Sequence, residues 1–138
     1  MARIPFSSTS APAPAGPYSP AVQSGSMVFA AGQSGHTPDG RLADDVGAQT
    51  QQCLANVLAV LKAAGATESD VTKVGVYLTD TAHFAAMNDV YATVFSSPYP
   101  ARTTVYVGLP PGMLVEIDAV AVLPEIAQTP DRSPRRDG

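Results

Sequence analysis

Two stretches of the chain, residues 99–107 and 114–122, alternate as β-strands do, yet each carries charged side chains among apolar ones. Successive side chains of a strand point to opposite faces, so Glu116 and Asp118 share one face of the second stretch. The opposite face of each stretch is almost wholly apolar, which predicts a sheet covered by helices. The short Gly- and Pro-rich segment between the stretches predicts an antiparallel hairpin, which would place Arg102 beside the two carboxylates.

The arginine and the carboxylates allow two interpretations. Exposed ion pairs on a sheet surface are common and contribute only roughly 0–1 kcal/mol to stability. Here, however, the face that carries Glu116 continues as Val120 and Val122, so it turns apolar and needs a cover. This need for a cover leads us to favour a polar pocket that is covered by another subunit. On the other stretch, the alternation places Val105 and Val107 on the face toward the helices.

The remaining periodicities predict one mixed α/β unit. Residues 27–33 and 71–78 are typical of strands, 45–64 of an amphipathic helix, and 81–96 of a second helix. The predicted order is β-β-α-β-α-β-β, with both helices packed on one face of a mixed sheet. The opposite face is too apolar to remain in water, so we expect a closed homo-oligomer.

Length and composition predict one compact domain. With 138 residues, of which 45% are hydrophobic, the chain can bury one core, which we place in residues 1–127. Residues 128–138 have no apolar periodicity, so we expect that segment to be disordered. Residues 1–127 hold five of the eight basic and ten of the twelve acidic side chains, which gives them a net charge of about −5. An acidic body binds polyanions poorly, so nucleic acid is not expected as a partner.

Targeting, disulfide and metal signals are missing from the sequence. No segment approaches the roughly 20 apolar residues of a membrane span, and no secretory pattern opens the chain, so we expect a cytoplasmic protein without a membrane partner. Cys53 is the only cysteine and falls on the apolar side of the first helix, which predicts an inert core residue. His36 and His83 have no metal-ligand spacing, and no nucleotide-binding motif follows a strand, so neither a metal nor a cofactor is expected.

The residues that these exclusions leave suggest a simple acid–base site. Arg102 suits a substrate carboxylate, because its planar guanidinium donates two charge-assisted hydrogen bonds at once. Glu116 is the candidate general acid or base, with Tyr18 and Asn88 as polar contacts and Gly32 as an open backbone edge. Burial would favour the neutral form of Glu116 and a nearby arginine the charged form, so its protonation state stays open. Such a site suits reactions that need positioning, a water molecule and proton transfer.

A series of short motifs resembles the reactive intermediate deaminase superfamily, also called the Rid or YjgF type. Each motif is weak alone, but their order and spacing over roughly residues 16–123 are specific. The motifs are Gly-Pro-Tyr-Ser at 16–19, Ala-Gly-Gln at 31–33, Gln-Thr-Gln-Gln-Cys-Leu-Ala-Asn at 49–56, Phe-Ala-Ala-Met-Asn at 84–88, Pro-Ala-Arg-Thr at 100–103 and Val-Glu-Ile-Asp at 115–118.

The resemblance implies a chorismate-mutase-like α/β fold and a homotrimer with clefts between subunits. It also implies hydrolysis of enamine or imine intermediates such as 2-aminoacrylate to 2-oxo acids and ammonia. By the family pattern, Arg102 holds the substrate carboxylate, Glu116 orients or activates the water, and Tyr18 completes the catalytic set. The other positions that the resemblance implies for the cleft are Ala31, Gly32, Phe84, Asn88 and Thr104.

Two positions depart from the best-studied deaminase branch of that superfamily. Ala31 stands where that branch has a serine before the Gly-Gln pair, and Thr104 stands where a cysteine is common. The missing serine hydroxyl implies a different rate or a different preferred imine. Arg102, the residue most closely associated with deaminase activity, is retained.

Other functions and simpler residue roles stay open at this point. A trimeric binder of small 2-oxo acids would use Arg102 without catalysis, and a ribonuclease is the least favoured function because the body is acidic. Tyr18 could simply anchor the Pro-rich leader, and Asn88 could cap or bridge within the oligomer. Asp118 is expected to be a structural partner for the backbone or for an arginine rather than a catalyst.

Overall fold

The computed structural model describes residues 2–124 and contains one six-stranded sheet with two α-helices on one of its faces. The segment 128–138, predicted to be disordered, lies outside the described residues. Short 3-10 turns, Glu68–Asp70 and Thr81–His83, precede the fourth strand and the second α-helix. The main elements are β1 (Ile4–Phe6), β2 (Ala21–Ser24), β3 (Met27–Ser34), α1 (Val46–Ala63), β4 (Val71–Leu78), α2 (Phe84–Val94), β5 (Ala101–Tyr106) and β6 (Val115–Val122).

The sheet has the spatial order β1-β2-β3-β6-β4-β5. Neighbouring strands are antiparallel except β4 and β5, which are parallel. The predicted mixed α/β sheet is therefore confirmed, with one additional strand near the N-terminus. Sequence periodicity does not reveal β1, because this strand has only three residues with Pro5 at its centre.

The predicted hairpin between the last two strands is wrong. β5 pairs only with β4, and β6 lies on the other side of β4, so β4 separates the two strands. Arg102 is in register with Val74 on the helix-covered face, whereas Glu116 is in register with Tyr77 on the opposite face. The reason is the helical crossover: α2 returns the chain to the start of β4, so β5 must pair in parallel.

Helix α1 occupies the position that its apolar periodicity predicts. The Asp45 side chain accepts a hydrogen bond from the Ala48 amide at 2.8 Å and caps the first turn. Gly65, with a φ of +89°, follows the last turn and donates to the Lys62 carbonyl. Cys53 is fully buried, as predicted, and burial raises the pKa of its thiol well above the ordinary value.

Two buried amide side chains connect α1 to the loops around it. Gln49 donates from Nε2 to the carbonyls of Ala43 and Gly112, and its Oε1 accepts from the Leu114 amide. Asn56 donates from Nδ2 to the carbonyls of Ser34 and His36 at 3.0 and 2.8 Å. Because both residues are fully buried, these bonds fix the ends of β3 and β6 against the helix.

The sheet face away from the helices, called the open face below, carries an uncovered apolar row. Met27 and Phe29 are each 41% exposed, and Val122 beside them is 39% exposed. Val105 also lies on this face, in register with Tyr77, and is 37% exposed like Val107. The predicted placement of Val105 and Val107 toward the helices is wrong, because alternation defines the two faces of a strand but not which one the helices cover.

Within residues 2–124, no helix is both long enough and apolar enough to cross a membrane.

Gly35→Ala should lower the free energy of unfolding by about 1–3 kcal/mol through overpacking. A β-carbon at Gly35 would lie 2.8 Å from both the Cα and the carbonyl oxygen of Gln49, and α1 cannot yield without disturbing its core contacts. Urea denaturation measures the loss. Gly108→Ala is the matched control, because a β-carbon there meets no atom within 4 Å. Equal midpoints for the two variants would contradict this account of the β3–α1 contact.

Candidate active site

The Arg102 side chain extends from β5 under α2. Its guanidinium carbon lies 4.7 Å from the ring centroid of Tyr91 and 5.7 Å from that of Phe84. Nη1 donates to the Met87 sulfur at 3.9 Å. Arg102 and Tyr91 line a cleft of about 440 Å³, the arginine cleft, together with Asn88, Ala92, Tyr99 and Pro100.

The chemistry of the arginine cleft suits an anion. Within residues 2–124, only Arg41 and Asp39 form a salt bridge, so Arg102 has no carboxylate partner in that part of the chain. Aromatic rings and a thioether sulfur satisfy the guanidinium weakly compared with a carboxylate. The strongest interaction available to Arg102 is therefore with an external anion that enters the cleft.

Two hydroxyl groups on the helix-covered side are buried without a hydrogen-bond partner among the described residues. They belong to Tyr91 and Thr104, and Thr104 follows Arg102 on the same face of β5. Burial raises the pKa of Tyr91, and the nearby Arg102 charge opposes that rise only in part. The Tyr91 hydroxyl thus remains neutral beside the guanidinium.

Glu116 lies in a second pocket, the glutamate pocket, which has a volume of about 520 Å³. The β3–β6 register shifts between Ala30 and Gln33, so Gly32 sits in an irregular part of the strand. A β-carbon on Gly32 would lie 2.9 Å from Glu116 Oε1, so the glycine leaves room for the carboxylate against the backbone. Other lining residues include Pro12, Pro14, Tyr18, Ser34, His36 and Met113.

The environment of Glu116 favours its protonated form. Burial raises the pKa of Glu116 above the ordinary value, and the negative charge of Asp118 raises it further. Asp118 is held by the Tyr77 hydroxyl, which donates to Oδ2 at 2.8 Å. Asp118 is therefore a structural partner, as expected, but for a tyrosine rather than for the backbone or an arginine.

Tyr18 and Ala31 have backbone partners close to the glutamate pocket. The Tyr18 hydroxyl accepts from the Ala15 amide at 3.1 Å, which holds the Pro-rich leader, while its side chain remains half exposed. Tyr18 thus anchors the leader and lines the pocket at once. The Ala31 amide donates to the Pro20 carbonyl at 2.9 Å, and its side chain is not among the pocket-lining groups.

Within one chain the predicted site residues form two separate groups. Tyr18 and Gly32 surround Glu116 on the open side, and Phe84 and Asn88 surround Arg102 under α2. The two pockets share no lining residue, and they contain the two charged groups on opposite faces of the sheet. The expected proximity of Arg102 to Glu116 within a chain is therefore wrong.

Sequence reasoning overlooked Tyr91 and Met87 as neighbours of Arg102, and Ser34 and His36 as lining of the glutamate pocket. The first two lie on the apolar stripe of α2, where a core role is the default interpretation. Ser34 is in register with Glu116 and shares a 2.7 Å hydrogen bond with His36 Nδ1. The Ser-Gly-His sequence that begins at the last residue of β3 is a usable signal, because it places two polar side chains two residues apart where the strand ends.

Comparison with known proteins assigns the family. The model of the family described as Endoribonuclease L-PSP matches residues 8–123. The chain belongs to this family, which includes the reactive intermediate deaminases that its motifs resemble. Among its relatives, the 2-iminobutanoate/2-iminopropanoate deaminase of Salmonella typhimurium is 42% identical over 117 residues, covering 81% of this chain and 91% of the relative.

Solved structures of relatives share the fold. The crystal structure of RidA from the Antarctic bacterium Psychrobacter sp. aligns with a TM-score of 0.84 at 40% identity, covering 88% of this chain and 100% of that one. The E. coli TdcF structure, which has bound serine, also aligns with a TM-score of 0.84, at 38% identity over 88% of this chain and 99% of that one. The family resemblance and its α/β fold are therefore confirmed.

Asp118→Asn should lower the pKa of Glu116, because the substitution removes a neighbouring negative charge while burial keeps part of the shift. Carbon-13 NMR titration of the Glu116 carboxyl measures the change. Tyr77→Phe is the control, since it removes the hydrogen bond to Asp118 but keeps the charge, and should leave the pKa of Glu116 raised. An unchanged titration in Asp118→Asn would show that burial alone sets the pKa.

Proposed function

We propose that the protein is a hydrolytic deaminase that converts small 2-imino acids to 2-oxo acids and ammonia. Its site would form between subunits of a homotrimer, with Arg102 of one subunit facing Glu116 of the next. The observation that carries this proposal is the separation of the two charged groups on opposite faces of one sheet. The arginine cleft and the glutamate pocket can meet only if they belong to different copies of the chain.

Arg102 and Glu116 have complementary roles in this reaction. The guanidinium binds the substrate carboxylate through two N–H donors and fixes the imine carbon near Glu116. With the imine nitrogen of the substrate already protonated, ionised Glu116 accepts a proton from water as the water oxygen bonds to that carbon, and the C=N electron pair moves to nitrogen and leaves it as a neutral NH2 group. The product of this step is a carbinolamine.

The second half of the reaction uses the same carboxyl group in reverse. Glu116 returns the proton to the amine nitrogen, the C–N bond breaks with its electron pair on nitrogen, and ammonia departs. The hydroxyl then loses its proton to solvent and becomes the ketone of the 2-oxo acid. A carboxyl group whose pKa lies above its ordinary value suits both transfers, because its ionised form is a stronger base and its protonated form can still return the proton.

The open face supports the oligomeric part of the proposal. The apolar row of Met27, Phe29 and Val122, and Val105 elsewhere on the same face, would lose their water contact if the open faces of several chains packed together. In the proposed trimer, each glutamate pocket would also lie beside a neighbouring subunit. Burial of the apolar row and completion of the site are thus one event in this arrangement.

The relatives support the chemical part. A deaminase of 2-iminobutanoate and 2-iminopropanoate is 42% identical to this chain, and the similar TdcF binds serine, a small molecule with an α-carboxylate and an α-nitrogen. The retained Arg102 and Glu116 fit such a ligand. Ala31 provides no hydroxyl at a position where the best-studied branch has serine, so we expect a different order of preference among imines.

A binder of 2-oxo acids without turnover is the main alternative, and activity measurements separate the two. Arg102→Ala and Glu116→Gln should each reduce deamination roughly 10–150-fold, the effect of one lost charge-assisted contact. The assay follows semicarbazone formation while an amino-acid oxidase generates imines. Arg41→Ala and Glu68→Gln, two exposed surface changes, are the controls and should retain wild-type rates.

Absence of turnover with every imine tested, together with binding of 2-oxobutanoate, would support the binder instead. Cleavage of RNA by the wild type but not by Glu116→Gln would support the ribonuclease that the family description names.

Mixed oligomers test the intersubunit site directly. When Arg102→Ala and Glu116→Gln chains are refolded together, some interfaces pair an intact arginine cleft with an intact glutamate pocket. Those mixtures should recover a substantial fraction of wild-type activity, while each variant refolded alone should not. A mixture as inactive as its parents, with mixed oligomers verified by native mass spectrometry, would mean that both residues act from the same chain.

A further inference from the structure

The Arg102 side chain is held without any oxygen partner among residues 2–124. Its one hydrogen bond in this part of the chain is the contact from Nη1 to the Met87 sulfur. An arginine side chain has several rotatable bonds, so a weak thioether contact alone does not fix the guanidinium. Another contact must limit its orientation if it is to meet a carboxylate with two N–H donors.

The Tyr91 ring is the surface that lies closest beneath the guanidinium, with 4.7 Å between the guanidinium carbon and the ring centroid. The ring is itself immobilised: Tyr91 is only 4% exposed and packs against Phe95 with 4.8 Å between centroids. Phe84, at 5.7 Å from the guanidinium carbon, is 40% exposed and contributes a looser contact. Tyr91 is therefore the rigid part of an aromatic support.

An aromatic support differs from a carboxylate support in its effect on ligand binding. A carboxylate would orient Arg102 strongly but would occupy the same N–H donors that a substrate carboxylate needs. The face of a ring attracts the cation and leaves those donors for the ligand. The arrangement thus orients the arginine before the ligand arrives without competing for its hydrogen bonds.

We infer that Tyr91 is a positioning residue whose ring orients Arg102 toward an incoming substrate carboxylate. This inference rests on the proposed function, in which Arg102 binds that carboxylate. The hydroxyl has no part in it, because it is buried and has no hydrogen-bond partner among the described residues.

Substitutions at position 91 separate the ring from the hydroxyl. Tyr91→Leu should raise KM for imines and the Kd for 2-oxobutanoate about tenfold, within the range of a lost cation–π contact, and should change kcat little. Tyr91→Phe keeps the ring and should retain wild-type KM and Kd. Isothermal titration calorimetry gives Kd, and circular dichroism verifies folding of each variant.

Phe84→Leu keeps the test valid if Tyr91→Leu fails to fold, since Phe84 lies at the surface. It should raise KM and Kd by a smaller factor, about twofold to threefold, because its ring is farther from the guanidinium. Nitrogen-15 NMR of the arginine side chain gives an independent readout. The ring current of Tyr91 should shift the Arg102 Nε–H signal upfield, a shift that Tyr91→Phe retains and Tyr91→Leu loses.

The outcomes distinguish this inference from the proposed function. An inactive wild type that still binds 2-oxobutanoate would reject deamination, yet the Kd values would still test the role of Tyr91. If the wild type is active and Tyr91→Leu leaves KM, Kd and the Arg102 signal unchanged, the inference is wrong. Equal losses in Tyr91→Phe and Tyr91→Leu would also overturn it, because they would assign the effect to the hydroxyl.

Discussion

The parallel pairing of β4 with β5 determines where the charged groups of this protein lie. It requires the α2 crossover, which covers the Arg102 side of β5 and turns the Val105 side toward the open face. β6 then pairs with the other edge of β4 and presents Glu116 away from the helices. One strand connection therefore places Arg102 and Glu116 on different faces of the sheet.

On the open face, two glycines lie directly beside the two carboxylates and leave room for them. Gly32 leaves space for Glu116, and a β-carbon on Gly75 would overlap Asp118 and approach the Tyr77 hydroxyl. The two carboxylates can thus lie close to the sheet, where burial and mutual repulsion favour a proton on Glu116. Gly32 and Gly75 thus provide the space in which the two carboxylates lie close to the backbone.

The sequence was sufficient for the elements that depend on local pattern. α1 has its predicted position because its apolar steps and its Asp45 cap are local signals, and Cys53 is buried on the stripe that predicts it. The neighbours of Arg102 were not accessible in this way. The insertion of β4 between β5 and β6 is a long-range event, and alternation along β5 cannot reveal which side α2 will cover.

The sequence indicated which residues to look for at the candidate site but not how they are arranged. Motif positions identified Arg102, Glu116, Tyr18 and Gly32, and the structure gives each a pocket. The family resemblance implied clefts between subunits, but the sequence could not show that Arg102 and Glu116 lie on opposite faces of one sheet, because alternation along a strand does not reveal which strands it pairs with. Tyr91 was overlooked because its position on the apolar stripe of α2 indicates a core residue. The sequence pattern does not show that the same ring lies against the Arg102 guanidinium.

If the proposed site forms between subunits, the separation of Arg102 and Glu116 on two faces of the sheet links ligand binding to assembly. In the proposed oligomer, a carboxylate bound between two chains would contact both and would stabilise their association by mass action. Dilution would then release subunits more slowly when the substrate or product is abundant, and a separated subunit would lose its site. The concentration of the metabolite would in this way regulate how much of the protein is in its working form.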